Sequence, residues 1–216
     1  MRASRPLILF DIDGTLVRRA GPHHRNALIE AVRQVLGVET RNDNIPVHGM
    51  LDRDILLQMM ANAGVASRRA VAALPAIYRA AERYYLRNVP VLRRKTCPGV
   101  RPLLNRLERR EAVLGLVTGN LTRIGWKKLE RADLARYFRF GIFGEVARTR
   151  SDLARLAVRY AAQRGWANGD CRGALIGDTP NDVTAGRAAG LDTIAVATGL
   201  CSLEELQVLG RHSLHP

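Results

Sequence analysis

Asp11 and Asp13 stand two residues apart, directly after the apolar run Leu7-Ile8-Leu9-Phe10. In an extended backbone that spacing sends both carboxylates to the same side. Like charges so close repel unless a cation joins them, which a hard divalent ion with oxygen ligands does naturally. A second pair, Asp178 and Asp182, lies in Gly177-Asp178-Thr179-Pro180-Asn181-Asp182, just after the apolar run Ala174–Ile176. Thr179-Pro180 also reads as a helix start, so capping could occupy one of these acids. It leaves Asp11 and Asp13 unexplained. Thr118-Gly119-Asn120 closes another apolar run with a hydroxyl, an amide and glycine-permitted backbone N–H groups, donors suited to phosphate oxygens. Alone it would be ordinary turn chemistry. Beside two carboxylate pairs it points to a metal-centred site that handles an anion.

Strands must bring these segments together. Leu7–Phe10, Ala112–Val117, Phe140–Phe143, Ala174–Ile176 and Thr193–Ala197 are near-continuously apolar, as in a parallel sheet buried on both faces. Helical patterns fall at about 100–110, 122–132, 151–164, 180–189 and 202–209. The alternation predicts a doubly wound, Rossmann-like α/β core, whose ligands bind beyond the carboxyl ends of its strands. Residues 18–93 break the rhythm, reading as helices only, at roughly 22–36, 51–63 and 67–88. The expected division is therefore a core of residues 1–17 and 94–216 with a helical insertion at 18–93.

With 216 residues, 47% apolar and 25% charged, the chain is neither disordered nor a fibrous repeat. Cys97, Cys171 and Cys201 are odd in number and widely spaced, which argues against a disulfide framework or structural zinc. The run Pro6–Ile12 is too short for a signal peptide or a membrane span, so a soluble cytoplasmic protein without a membrane partner is expected. The net charge is +14, and only Lys95, Lys127 and Lys128 of its 34 basic residues are lysines. The arginines are scattered and only 5% of residues are aromatic, a pattern of general anion attraction rather than a specific nucleic-acid surface.

The motifs resemble those of the haloacid dehalogenase-like hydrolase superfamily, in its capped phosphatase branch and nearest to phosphoglycolate-phosphatase-like members. Phe10-Asp11-Ile12-Asp13-Gly14-Thr15-Leu16-Val17 is similar to its first motif, Thr118-Gly119-Asn120 to its second and Gly177–Asp182 to its fourth. The insertion looks like the family's cap, and Cys97-Pro98-Gly99-Val100 like the return into the core. The resemblance implies a phosphatase acting on a small phosphorylated metabolite. Asp11 would be the nucleophile, forming an aspartyl-phosphate, and Asp13 the general acid and base. Mg²⁺ would be held by Asp11, Asp178 and the backbone carbonyl of Asp13. Thr118, Gly119 and Asn120 would hold phosphoryl oxygens, with Asp182 behind them orienting a metal-bound water or pairing with a cation. A sugar-phosphate mutase of the same fold, or a basic nucleic-acid-binding protein, is the alternative. The protein is expected to be a monomer or a homodimer.

The family's third-motif lysine is missing from Gly144–Leu153. Arg150, just before a helical pattern, is the expected substitute as a phosphate-binding cation, ahead of Arg148. Lys127 and Lys128 are a rival source of charge, expected to be of little consequence. His23-His24-Arg25 could meet an anionic substrate, but reads first as an exposed helix start. Val47–Arg53, with Asp52, reads equally as a helix start or as a loop over the substrate.

Overall fold

The computed structural model describes residues 5–18, 21–166 and 173–210; Cys171 lies outside them. Five strands, β1 (Leu7–Phe10), β2 (Val113–Val117), β3 (Phe140–Ile142), β4 (Gly173–Gly177) and β5 (Asp192–Ala195), form one parallel sheet in the order β3-β2-β1-β4-β5. Each lies within about two residues of its apolar run. Leu9 pairs with Gly115 on one side and Leu175 on the other, so β1 is central and nearly wholly buried, as its unbroken apolar sequence requires. The chain winds outward from β1 through β2 to β3, then returns to begin the other half at β4. The switch point thus lies between β1 and its neighbours, where doubly wound sheets open a crevice.

Between β1 and the return at Cys97 the described chain holds three α-helices: α1 (His23–Leu36), α2 (Asp52–Asn62) and α3 (Ser67–Asn88). The segment leaves and re-enters through one stem. Arg18 donates its backbone N–H to Lys95 (2.7 Å), and Cys97 donates to Leu16 (3.0 Å). The remaining helices are α4 (Val100–Arg109), α5 (Thr122–Arg131), α6 (Arg150–Gln163), α7 (Pro180–Ala188) and α8 (Leu203–Gly210).

Two apolar clusters sandwich the sheet. On one side Leu7, Leu9, Val113 and Val117 pack with Leu153, Ala154 and Ala157 of α6. On the other, Phe10, Leu114 and Leu116 join Ile124 and Leu129 of α5, and the cluster runs on without a break into Leu28, Met59, Ile77 and Tyr85 of the inserted helices. No helix among the described residues is long and apolar enough to cross a membrane. Cys97 and Cys201 are free thiols.

Candidate active site

The three polar segments meet at the carboxyl ends of β1, β2 and β4. Asp11 donates its backbone N–H to Ile176 (3.0 Å), which carries the β1–β4 ladder one residue past the strand. Beyond it the chain turns sharply, Leu16 and Val17 both donating to the Ile12 carbonyl. Gly14, at φ 84°, makes that turn close against Asp178, where any Cβ would collide with the carboxylate. Thr15 Oγ1 donates to Asp178 Oδ1 (3.2 Å). Asp11 and Asp178 are each 5% exposed, and the oxygens of Asp11, Asp178 and Asp182 lie within 4.8 Å of one another.

Arg150 sits among these acids. Thr149 caps α6 by accepting the Asp152 N–H (3.1 Å), which sets Arg150 as the first helical residue. Its Nε donates to Asp182 Oδ1 (2.6 Å), and its Nη2 lies 2.5 Å from Asp11 Oδ1. That second approach is an ion pair without hydrogen-bond alignment, and it leaves a buried Nη2 unsatisfied at the wall of the site. Asp182 is fully employed, because its Oδ2 accepts both the Thr179 N–H (3.1 Å) and the Thr179 hydroxyl (2.7 Å). Both readings of Asp182, as helix cap and as partner to a cation, are therefore met at once. Arg148 is exposed.

Electrostatics follow from this crowding. Burial pushes the Asp11 carboxyl up to about 7, with Asp182, Asp178 and Asp13 adding to the rise and Arg150 opposing it. Asp178 rises to about 6, mainly through burial and secondly through Asp182. One guanidinium does not neutralise three buried acids. This excess negative charge, carried by oxygen ligands, fits a hard divalent cation, for which Asp11 and Asp178 are the available holders.

Asp13 has a different environment. Almost half of its side-chain surface is open to the cavity (44%), yet it accepts from Lys128 Nζ at 2.7 and 2.6 Å and from Asn120 Nδ2 at 2.8 Å. Burial is the largest single influence and would raise its pKa, but the Lys128 ammonium, His24 and the hydrogen bonds from Lys128 and Asn120 together hold it below the usual carboxylate value. Asn120 also donates to Thr118 Oγ1 (2.7 Å), so that oxygen is engaged as an acceptor and its own O–H is left for another partner. At Gly119 any side chain would strike the Met50 carbonyl, and the Gly119 carbonyl accepts the Asp52 N–H (2.8 Å). The segment Val47–Arg53 therefore lies directly on the Thr118–Asn120 turn.

All the residues singled out by spacing, Asp11, Asp13, Thr118, Gly119, Asn120, Arg150 and Asp178, line one cavity of about 880 Å³, and Asp182 lies behind Arg150. Arg18, His24, Arg25, His48 and Asp52 line it too. Two expectations need correction, and the helix start at Asp52 carries a tie that its spacing did not show. Lys128 is not a bystander: it is 1% exposed and grips Asp13, whereas Lys127 pairs with Glu130 at the surface (2.7 Å). His24 is no free helix-start residue, because Asp52 and Lys128 hold its ring at 2.9 and 3.1 Å. Asp52 is buried (2%) and accepts the Leu121 N–H (2.8 Å), so it ties α2 to the head of α5.

A family model for haloacid dehalogenase-like hydrolases matches residues 6–190. The chain belongs to that family. The hydrolase is 28% identical over 206 residues to phosphoglycolate phosphatase 1 of Pseudomonas aeruginosa, covering 89% of this chain and 70% of the relative. Its fold is similar to that of a predicted phosphatase from Clostridium acetobutylicum, with a TM-score of 0.67 at 22% identity over 96% of this chain and 92% of the other. It is also similar to the fold of β-phosphoglucomutase from Clostridium difficile, with a TM-score of 0.62 at 12% identity over 96% and 98%.

Proposed function

We propose that this hydrolase is a Mg²⁺-dependent phosphatase that releases phosphate from a small phosphorylated metabolite through an aspartyl-phosphate at Asp11. One observation carries the reading: the buried Asp11 carboxylate faces the cavity beside an Arg150 Nη2 that has no hydrogen-bond partner. A nucleophile and a guanidinium paired with it at one point suit an electrophilic phosphorus whose oxygens need a donor. Arg150, Thr118 and the backbone N–H groups after it would hold those oxygens. Asp13, within the same cavity, would give its proton to the leaving oxygen and afterwards take one from the attacking water. When bound between Asp11 and Asp178, with the Asp13 carbonyl, Mg²⁺ would offset the repulsion between nucleophile and phosphoryl group.

Residues 18–93 would act as a cap, closing the cavity with Val47–Arg53 above Gly119. The likeness to phosphoglycolate phosphatase 1 makes 2-phosphoglycolate the first substrate to assay. The expected setting is the cytoplasm, as a monomer or a homodimer.

The test is phosphate release from a panel of phosphomonoesters, with and without Mg²⁺, by the wild type and by Asp11→Asn. The expected result is metal-dependent release in the wild type and background rates in the folded Asp11→Asn protein. Near-wild-type turnover by Asp11→Asn would falsify the mechanism. Isomerised phosphoester in place of free phosphate would point to a mutase.

A further inference from the structure

The ammonium of Lys128 is buried in a shell of acceptors drawn from both parts of the molecule. Its Nζ lies 2.7 and 2.6 Å from the two oxygens of Asp13, 2.6 Å from Asn120 Oδ1 and 3.1 Å from His24 Nδ1. Three N–H donors thus serve one carboxylate, one amide and one imidazole, and all are used. An ammonium cannot accept, so His24 Nδ1 must be the acceptor, and its Nε2–H then donates to Asp52 Oδ2 (2.9 Å). Asp52 takes the Leu121 N–H on the same oxygen. The result is a chain, Asp52–His24–Lys128–Asp13, in which the first two residues come from inserted helices α2 and α1 and the last two from α5 and the β1 loop.

The head of α5 supports this placement. Its first backbone N–H groups are taken by carboxylates from elsewhere: Leu121 by Asp52, Thr122 by Glu145 (2.9 Å) and Arg123 by Glu82 of α3 (3.0 Å). Lys128 therefore projects from a helix whose start is fixed to the insertion. Arg150 attends Asp11 and Lys128 attends Asp13, so each member of that pair of acids has its own cation.

We propose that Lys128 is a positioning residue for Asp13 and Asn120, with His24 and Asp52 completing its shell. This rests on the phosphatase reading above. Lys128 forms no bond to substrate; it fixes the Asp13 carboxyl, which, once it has taken a proton from water in the cavity, passes it to the leaving oxygen as the P–O bond breaks and takes one back from the water that hydrolyses the phosphoenzyme. Its effect must then scale with how much that oxygen needs the proton. An alkoxide leaving group needs it greatly, whereas p-nitrophenolate leaves with little help.

The experiment uses the full chain with Mg²⁺ and compares Lys128→Met with wild type on p-nitrophenyl phosphate and on glycerol 2-phosphate, under steady-state and rapid-mixing conditions. For Lys128→Met the expected loss is roughly 10²–10³ in kcat on the alkyl ester, the scale of a misplaced acid/base group, with KM little changed. On p-nitrophenyl phosphate the chromophore should appear in a burst approaching one equivalent per site. Slow turnover should follow, because phosphoenzyme hydrolysis also needs Asp13. His24→Ala, at a partly exposed residue, should give the same signature at about one-tenth the size and decides the matter if Lys128→Met fails to fold. Equal losses on both esters without a burst, or wild-type kinetics in His24→Ala, would overturn the positioning role while leaving the Asp11 chemistry standing. If wild type releases phosphate from neither ester nor from the metabolite panel, the phosphatase reading itself is what has failed.

Discussion

Replacing Arg150 by Ala removes the one guanidinium lodged among Asp11, Asp178 and Asp182. Arg150 is 8% exposed, and its two contacts with Asp11 and Asp182 are at 2.5 and 2.6 Å. Loss of one partner from a buried ion pair costs about 3–5 kcal/mol, because the other charge is left unpaired. For a chain of this length that is a fall in Tm of roughly 6–20 °C. The fall should depend on pH. Asp11 already lies near 7 with Arg150 opposing the rise, so without the guanidinium it climbs further. Near pH 5.5 it is then protonated and the missing cation matters less; toward pH 8 the Asp11 carboxylate increasingly ionises without its cation and the cost grows. Thermal melts of wild type and Arg150→Ala in chelator at both pH values measure this directly. With Mg²⁺ restored, kcat/KM should be down by roughly 10²–10³, the loss expected for one transition-state donor. Arg150→Lys should recover only part, since an ammonium cannot span both carboxylates as the planar fork does. A Tm difference that is the same at both pH values, or an unchanged kcat/KM, would refute the reasoning.

Two other outcomes follow from the same charges and packing. Asp11 and Asp178 both sit above their ordinary value, so their contribution to metal-free stability is complete below about pH 4 and is lost as pH rises through about 6 to 7. Asp13, held low, acts in the opposite sense but below that window. Mg²⁺ needs the ionised acids, so its apparent affinity by calorimetry, and the rise in Tm it produces, should grow from pH 5.5 to 8; affinity independent of pH would remove Asp11 and Asp178 as its holders. The Tyr85 hydroxyl is buried without a hydrogen-bond partner, and Tyr85→Phe should stabilise the protein by about 1 kcal/mol, or roughly 2–4 °C in a thermal melt. A lower Tm would show that the hydroxyl has a partner after all.

The sheet was legible because strands buried on both faces leave unbroken apolar runs, and Leu7–Phe10 is β1 residue for residue. The acids and the Thr118–Asn120 turn were legible because strand ends in such a sheet face one crevice, whatever the loops do. Arg150 was singled out through the resemblance, as the substitute for the family's missing third-motif lysine just before a helical pattern, and the structure makes it the first residue of α6. The Lys128 chain was missed because its members lie 28 to 115 residues from their partners, where sequence adjacency says nothing about contact. A signal did exist: Lys128 falls on the helical stripe with Leu121, Ile124 and Gly125, all buried, so a charged group occupied a core position. Asp52 gave no comparable sign, since an acid in a first helical turn is ordinary.

The choice of arginine over lysine leaves a molecule of 34 cations with very few primary amines. Lys95 is exposed, Lys127 is partly so, and Lys128 is sealed beneath the inserted helices. Amine-directed acylating reagents therefore meet a nearly blank surface, on which each ε-amine can be followed separately by mass. Lys128 would take up label only when the insertion lifts away from α5, against Lys95 as an internal standard. Its chemical silence makes it a built-in gauge of how often that happens.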